Sequence, residues 1–270
     1  MAETEFFSSS DFELYRNLIY KESGIHFTAT NRSILESRLK ERLREKHIES
    51  VKDYFATISK DQGEMKSFLD SITTNLTRFF RNQPQFDALE HHVVPELLKI
   101  KKDNTIKFWS AGCSTGEEPY TIAMLMTEIL PPTWRFEILA SDLSLKCLMR
   151  AKEGFYNESQ IVGIPDNYLK KYFDTVDKGY KIRADIASKI RFDYHNLNND
   201  SGQKGLDVVF CRNVIIYFDE VAQLSVINKF WNAMGNKSFL FIGHSESLFG
   251  MNTKFEFIKT QWATLYGKSI

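Results

Sequence analysis

Beyond Pro84, the first proline of the chain, short β-forming runs alternate with segments of helical periodicity. The runs lie at 106–110, 136–141, 206–211 and 238–242. The helical patterns lie at 117–130, 144–153 and 219–234. Strands that alternate with helices of this length pair in parallel, because each crossover helix covers one face of the sheet. The sequence therefore predicts an α/β fold with helices on both faces of a parallel sheet.

The first 80 residues follow a different pattern, with no proline, two glycines and apolar residues at helical spacing. Helices are expected on both sides of Gly24 and at 51–59 and 61–75. This pattern predicts an N-terminal helical domain over 1–80, followed by the α/β domain over 81–270.

One segment within the second domain, at about 171–195, departs from the alternation of strands and helices. Its apolar residues alternate with polar ones around a turn at 177–179. The alternating residues are Tyr180, Ile182, Ile190, Phe192 and Tyr194. This period predicts a small antiparallel sheet, inserted into the α/β domain.

Composition narrows the possible functions. The 35 Lys and Arg residues balance the 35 Asp and Glu residues, and this neutrality argues against a general nucleic-acid binder. Three cysteines without paired spacing argue against a disulfide framework or a thiolate zinc site. The opening residues MAETEFF lack the features of a signal peptide, and no apolar run approaches the roughly 18 residues of a spanning helix. We therefore expect a cytoplasmic protein without membrane insertion or a metal.

The turn after the first strand has the form of a nucleotide-binding corner, with Gly112 and Gly116 before the next helix. It matches neither GxGxxG nor a Walker A loop, and it offers no cation to a phosphate. Glu117 and Glu118 open the helix and favour a cationic ligand, such as S-adenosylmethionine. The alternative is a tight turn with acidic residues at the helix start.

Two further strand ends carry polar residues. Asp142 ends the second strand, where a carboxylate can accept both ribose hydroxyls of an adenosine ligand; alternatively, it caps the next helix. Arg212 and Asn213 follow the strand at 206–211, where ligands bind in such sheets. Tyr217 comes shortly after. The alternatives here are a surface ion pair for Arg212 and a core position for Tyr217.

Five motifs occur in a characteristic order over nearly the whole chain. They are TTNLTRFFR at 73–81, SAGCSTGEEPY at 110–120, ASDL at 140–143, CRNVIIYF at 211–218 and GHSESL at 243–248. In sequence and spacing they closely resemble CheR-type chemoreceptor methyltransferases. The resemblance implies a class I S-adenosylmethionine-dependent methyltransferase fold, a Rossmann-like sheet with an N-terminal helical domain and an inserted β-subdomain.

The resemblance also implies an activity and a site. The activity is methyl transfer from S-adenosyl-L-methionine to glutamate side chains of chemoreceptors, with S-adenosyl-L-homocysteine as the second product. Arg81 and Tyr217 would flank the substrate carboxylate. Together with Gly112 of the turn, the implied cofactor contacts are Asn75, Thr77, Arg81, Glu117, Asp142, Asn196, Leu197, Arg212 and Asn213.

Partners are suggested by two further segments. The segment 31–47 has a local excess of three positive charges, with Arg38 and Arg42 on one helix face. It is either a solvated face, a docking face for the acidic helical bundle of a receptor, or, less favoured, a nucleic-acid contact. The insert either caps the sheet edge or, as in some members of the resembled family, binds a C-terminal receptor tether by strand addition. We expect a monomer.

The chemistry explains the absence of an evident catalytic base. A glutamate with a reference pKa of about 4.3 is already ionised near neutral pH, so catalysis must come from positioning it and removing water. Two competing functions are less favoured. Glu117, Asp142, Arg81 and Tyr217 argue against a non-catalytic sensor that keeps the fold, and the neutral net charge argues against nucleic acid as the substrate of a methyltransferase, with a small molecule as the other alternative.

Overall fold

The coordinates are a computed structural model, which describes residues 6–269. The α-helices are Ser9–Ser23 (α1), Arg32–Lys46 (α2), Val51–Ile58 (α3), Gln62–Ile72 (α4), Gln83–Ala88 (α5), Val94–Ile100 (α6), Glu117–Ile129 (α7), Leu145–Glu153 (α8), Asp166–Tyr172 (α9), Ala184–Ala187 (α10) and Glu220–Ala233 (α11). The strands are Thr105–Ala111 (β1), Arg135–Asp142 (β2), Phe155–Tyr156 (β3), Phe173–Val176 (β4), Gly179–Ile182 (β5), Ile190–Tyr194 (β6), Leu206–Cys211 (β7), Met234–Ile242 (β8), Glu256–Lys259 (β9) and Thr264–Lys268 (β10).

The first four helices pack around their own core. At the centre of this core, the Phe68 ring packs edge to face against two tyrosines. Its centroid lies 5.7 Å from that of Tyr15 and 5.8 Å from that of Tyr54. Gly24 ends α1 in the left-handed conformation, with φ of +78°. The predicted helices of this part are therefore confirmed, and Leu35, Leu39 and Leu43 form the buried face of α2.

The main sheet has the strand order β6-β2-β1-β7-β8-β10-β9. The five strands from β6 to β8 are parallel, while β10 pairs antiparallel with both β8 and β9. The order confirms the predicted α/β fold, and the four predicted runs lie in β1, β2, β7 and β8. The hairpin of β9 and β10 was not predicted.

The second sheet is smaller and antiparallel, with the order β3-β5-β4. It confirms a β insert and its turn at 177–178, but the predicted bounds are partly wrong. Residues 190–194 form β6 of the main sheet, where Ile138 pairs with Ile190 and Asp142 with Tyr194 in parallel register. A parallel strand at the edge of a sheet can alternate between apolar and polar residues just as an antiparallel strand does. The alternation at 190–194 therefore could not show which of the two sheets this strand joins.

The main sheet buries apolar side chains on both faces, as the crossover helices require. Phe108 of β1 belongs to the core cluster on one face, and its neighbour Trp109 belongs to the cluster on the other. Within residues 6–269, no helix has the length and apolar character needed to cross a membrane.

Candidate active site

A cavity of about 1250 Å³, including its solvent-open part, lies where the carboxyl ends of the parallel strands meet the helical part. Such a crevice is the usual ligand site of open α/β sheets. The strand ends contribute Gly112, Cys113, Ser114, Glu118, Asp142, Leu143, His195, Asn196, Leu197, Arg212, Asn213 and Tyr217. The helical part and the segment after it contribute Ile25, His26, Phe27, Ile34, Asn75, Thr77 and Arg81, among others.

The turn after β1 brings the backbone close to this cavity. Gly112 has φ of +86°, and a Cβ atom placed on it would lie 2.4 Å from Cγ2 of Val214. Its N–H and that of Cys113 both donate to the Ser141 carbonyl, at 2.8 and 2.9 Å. Only glycine satisfies both the backbone conformation and the close approach to Val214 at this position.

Asp142 holds two loops together at the end of β2. Its Oδ2 atom accepts from the Ser114 N–H at 2.7 Å and its Oδ1 atom from the Ser144 N–H at 2.8 Å. Ser144, not Asp142, is the N-cap of α8, because its hydroxyl accepts from Cys147. Burial raises the pKa of the Asp142 carboxyl, and the N–H donors oppose this shift. Each oxygen keeps a lone pair with which a diol could be bound.

Of the two glutamates that open α7, Glu118 lines the cavity, whereas Glu117 faces a second one. The Glu117 carboxylate accepts from the Thr115 hydroxyl, and burial raises its pKa. Consecutive helical residues point about 100° apart, so only one of the two can face the ligand. Glu117, the predicted cofactor contact, therefore does not line this cavity, whereas its neighbour Glu118 does.

Arg212 forms a buried ion pair, and not the surface pair considered above. Its Nε donates to Oε2 of Glu118 at 2.6 Å, and Oε1 of Glu118 accepts from Ser110 at 2.7 Å. Its Nη1 donates to the Arg81 carbonyl at 2.7 Å and to Gln85 at 2.8 Å. Arg212 thus fixes the backbone around Arg81 from the end of β7.

The loop from Asn213 to Tyr217 is organised by one carboxylate. Oε2 of Glu246 accepts from the N–H groups of Asn213 and Gly243, the first at 2.9 Å, and Oε1 accepts from Ile216 at 3.2 Å. Burial raises the pKa of Glu246, and these donors oppose the shift. Asn213 adopts φ of +59°, an uncommon conformation that this clamp supports.

Arg81 and Tyr217, the two residues expected beside the substrate carboxylate, both line the cavity. Arg81 donates one N–H to the Leu76 carbonyl at 2.8 Å, which leaves most of its donors available. The Tyr217 carbonyl accepts from the His26 N–H at 2.8 Å. The Tyr217 hydroxyl has no hydrogen-bond partner among residues 6–269.

The remaining predicted contacts also lie on the cavity. Asn75 and Thr77 belong to the segment between α4 and α5, and Asn196 and Leu197 follow β6. The Asn196 side chain donates to the Glu22 carbonyl at 2.5 Å, so this strand end is tied to α1.

The second cavity, of about 1330 Å³, is a groove between α2, α4 and α8. It contains both predicted docking residues, Arg38 and Arg42, but the two differ. Arg42 is only 13% exposed and pairs with the buried Glu64, while its Nε donates to the Tyr54 hydroxyl at 3.3 Å. Arg42 is therefore a structural residue of the helical core, whereas Arg38 is 42% exposed and, among residues 6–269, its ion pair is with Glu41.

Some residues of the site were not predicted. His195 lines the cavity beside Trp109, with centroids 5.6 Å apart, and within residues 6–269 its buried Nε2 has no hydrogen-bond partner. Burial lowers its pKa. Glu246 lies in the GHSESL motif, but the motif alone does not reveal that its carboxylate folds back onto another loop. Gln85 gives no signal in the sequence.

Comparison with known proteins gives matches over both parts of the chain. The model of the CheR methyltransferase SAM-binding domain matches residues 75–264, and that of the CheR methyltransferase all-alpha domain matches residues 10–73. The chemotaxis protein methyltransferase of Borreliella burgdorferi is 36% identical over 253 residues, which cover 89% of this chain and 89% of that protein. Chemotaxis protein methyltransferase 2 of Vibrio cholerae is 31% identical over 97% of this chain and 93% of its own length. The chemotaxis protein methyltransferase of Escherichia coli is 31% identical, with coverages of 94% and 90%.

Proposed function

The chain belongs to the CheR methyltransferase family, and we propose that it methylates glutamate side chains of chemoreceptors, giving methyl esters and S-adenosylhomocysteine. The observation that carries this proposal is the convergence of Arg81 and Tyr217 on the cavity at the strand ends. We further propose a cytoplasmic monomer with domains at 1–80 and 81–270.

The residues of the cavity fit S-adenosylmethionine, the cofactor of this family. Asp142 can accept the two ribose hydroxyls, and Gly112 lines the same cavity at the end of β1. Glu118 also lies on the wall, where Arg212 balances its charge, so Asp142 supplies the carboxylate that suits the positive charge of the cofactor. When bound, the cofactor supplies an electrophilic methyl group on a sulfonium.

The chain's own task is to position a weak, strongly hydrated nucleophile. Arg81 can steer the carboxylate, and the Tyr217 hydroxyl can orient one of its oxygens. Arg212 cannot share this role, because Glu118, Gln85 and the Arg81 carbonyl occupy its donors. Two groups that approach from different elements fix an orientation that one group alone would leave free.

The helical part contributes apolar groups to the cavity, which would limit the access of water to a bound carboxylate. Ile25, Phe27 and Ile34 lie on its wall. Desolvation of the substrate carboxylate raises its reactivity, and no proton needs to be removed from it near neutral pH. His195 is not needed as a base, and burial of its ring disfavours the protonated form.

The receptor partner is proposed to contact two surfaces. Arg38 on α2 is available to an acidic receptor helix, whereas Arg42 supports the helix from within. The second surface is β4, an edge strand of the small sheet with Asp174, Thr175 and Val176 exposed. An extended C-terminal tether could pair with this edge through main-chain hydrogen bonds.

The test is incubation with methyl-labelled S-adenosylmethionine and receptor-containing membranes. We expect label on the receptor that is released by mild base, as a glutamate methyl ester requires. Tyr217→Phe is the matched control, because it keeps the ring and should slow labelling without abolishing cofactor binding. Base-stable label, or label on small molecules alone, would reject the proposed substrate.

A further inference from the structure

Helix α8 forms a second basic wall of the groove between α2, α4 and α8, in addition to the basic wall that α2 provides. Lys146 and Arg150 of α8 lie four residues apart and both line the groove, so they share one helix face. Both are exposed. Across residues 6–269, neither takes part in an ion pair.

The other cations of the groove form ion pairs within their own helix. Arg38 pairs with Glu41 at 3.2 Å, and Arg42 with Glu45 at 2.5 Å. The two acidic groups nearer the floor are held by hydroxyl donors: Asp70 accepts from Ser144, and Glu117 accepts from Thr115. Lys146 and Arg150 of α8 are therefore the exposed cations of this groove that take part in no ion pair within the described chain.

The face of α8 beside these cations is apolar. Leu145 and Met149, also four residues apart, are 45% and 71% exposed. A basic stripe next to an apolar stripe is complementary to a helix that carries acidic residues beside apolar ones.

The groove adjoins the active-site cavity. Asn75, Leu76 and Thr77 line both. Helix α2 also borders both, with Ile34 on the cavity and Arg38 to Glu45 on the groove. At 1.5 Å per residue, Ile34 and Glu45 are about 16 Å apart along the axis, or about three turns. A helix that presents a glutamate to the cavity would thus lay its neighbouring turns along the groove.

We propose that α8 is the second half of the receptor-docking surface, with Lys146 and Arg150 contacting acidic residues about one to three turns from the methylated glutamate. This proposal rests on the proposed function and extends it, because it assigns a docking role to the α/β part of the chain. The acidic receptor helix would lie between α2 and α8, and its charge would be met from both sides.

The test compares Arg150→Glu with Lys152→Glu. Both reverse one charge on α8, two residues apart, but only Arg150 lines the groove, and Lys152 points about 200° away around the helix. Receptor methylation is measured against receptor concentration at saturating cofactor, at low and high salt. We expect Arg150→Glu to raise KM for receptor about five-fold with kcat within about two-fold, and Lys152→Glu to change KM less than about two-fold.

Two further measurements separate the possible failures. Arg150→Lys should behave as the wild type, because it keeps the charge, and S-adenosylhomocysteine affinity should be the same in all variants. Co-sedimentation with receptor membranes should be weakened by Arg150→Glu whether or not methylation occurs, so loss of the proposed function would not hide the docking result. Equal effects of Arg150→Glu and Lys152→Glu, or no effect of Arg150→Glu, would overturn the proposal.

Discussion

Replacement of Glu118 by Gln should destabilise the fold through Arg212. In the wild type, Glu118 accepts from Arg212 at 2.6 Å and from Ser110 at 2.7 Å. Gln can reproduce both contacts, since its carbonyl can face the guanidinium and its amide can donate to the Ser110 hydroxyl. The substitution therefore removes the charge and little else, and it leaves a buried guanidinium without its counter-charge.

The expected loss follows from this geometry. Removal of one partner of a buried ion pair costs about 3–5 kcal/mol. Arg212 keeps two neutral acceptors, the Arg81 carbonyl and Gln85, and its guanidinium lies 5.1 Å from the Phe86 ring centroid. These contacts place Glu118→Gln at the lower end, about 3 kcal/mol in the free energy of unfolding, or a factor of about 150 in the equilibrium constant.

The assay is urea-induced unfolding of the wild type, Glu118→Gln, Arg212→Met and the double variant. We expect the double variant to lose less than the sum of the single losses, because each single change isolates the other group. Glu117→Gln is the control. The Glu117 carboxylate is buried at the start of α7 and pairs with no cation in the described part of the chain, so a neutral amide should cost less than about 1 kcal/mol. A loss below about 1 kcal/mol for Glu118→Gln, or strict additivity in the double variant, would refute the reasoning.

Three other predictions concern cofactor affinity, the rate of methyl transfer and the dependence of stability on pH. Asp142→Ala should weaken S-adenosylhomocysteine binding by about 1–3 kcal/mol in calorimetric titration; unchanged affinity would remove Asp142 from the ribose site. Tyr217→Phe should lower kcat about ten- to a thousand-fold in single-turnover methylation while cofactor affinity persists, and a wild-type rate would exclude an orienting role. Burial lowers the pKa of the His195 ring from its usual value of 6.5. The neutral ring therefore contributes its full stability to the fold above pH 6.5, and this contribution is lost as the pH falls from 6.5 towards the folded-state pKa. Between pH 7 and pH 5, the Tm of His195→Gln should therefore fall less than the Tm of the wild type. Equal falls in Tm for the two proteins would show that His195 is not the source of the acid sensitivity.

The sequence predicted the central strands and the polar residues at their ends because those signals are local. A buried parallel strand is a short apolar run, and ligand residues follow its carboxyl end. Gly112, Asp142 and Tyr217 accordingly lie on one cavity. That they bind cofactor and substrate stays a prediction.

The features that the sequence did not predict depend on the direction in which a side chain points or on contacts between residues far apart in the chain. The choice between Glu117 and Glu118 depends on the rotation of α7, which no pattern of two adjacent glutamates specifies. Arg42 has the spacing of a surface cation, yet its partner Glu64 comes from another helix. The strand at 190–194 alternates as an insert would, and only its pairing with β2 assigns it to the main sheet.

The same long-range contacts show why the helical part belongs to the site and is more than a docking module. Three segments that follow strands are hydrogen-bonded to it: Ser144 to Asp70, the Asn196 side chain to the Glu22 carbonyl, and the His26 N–H to the Tyr217 carbonyl. Displacement of the helical part would therefore move the predicted cofactor contacts and the Tyr217 loop together. Because the predicted cofactor and substrate positions share these hydrogen bonds, a receptor that docks on α2 and α8, as proposed, would contact the wall of the cavity in which its glutamate is proposed to react.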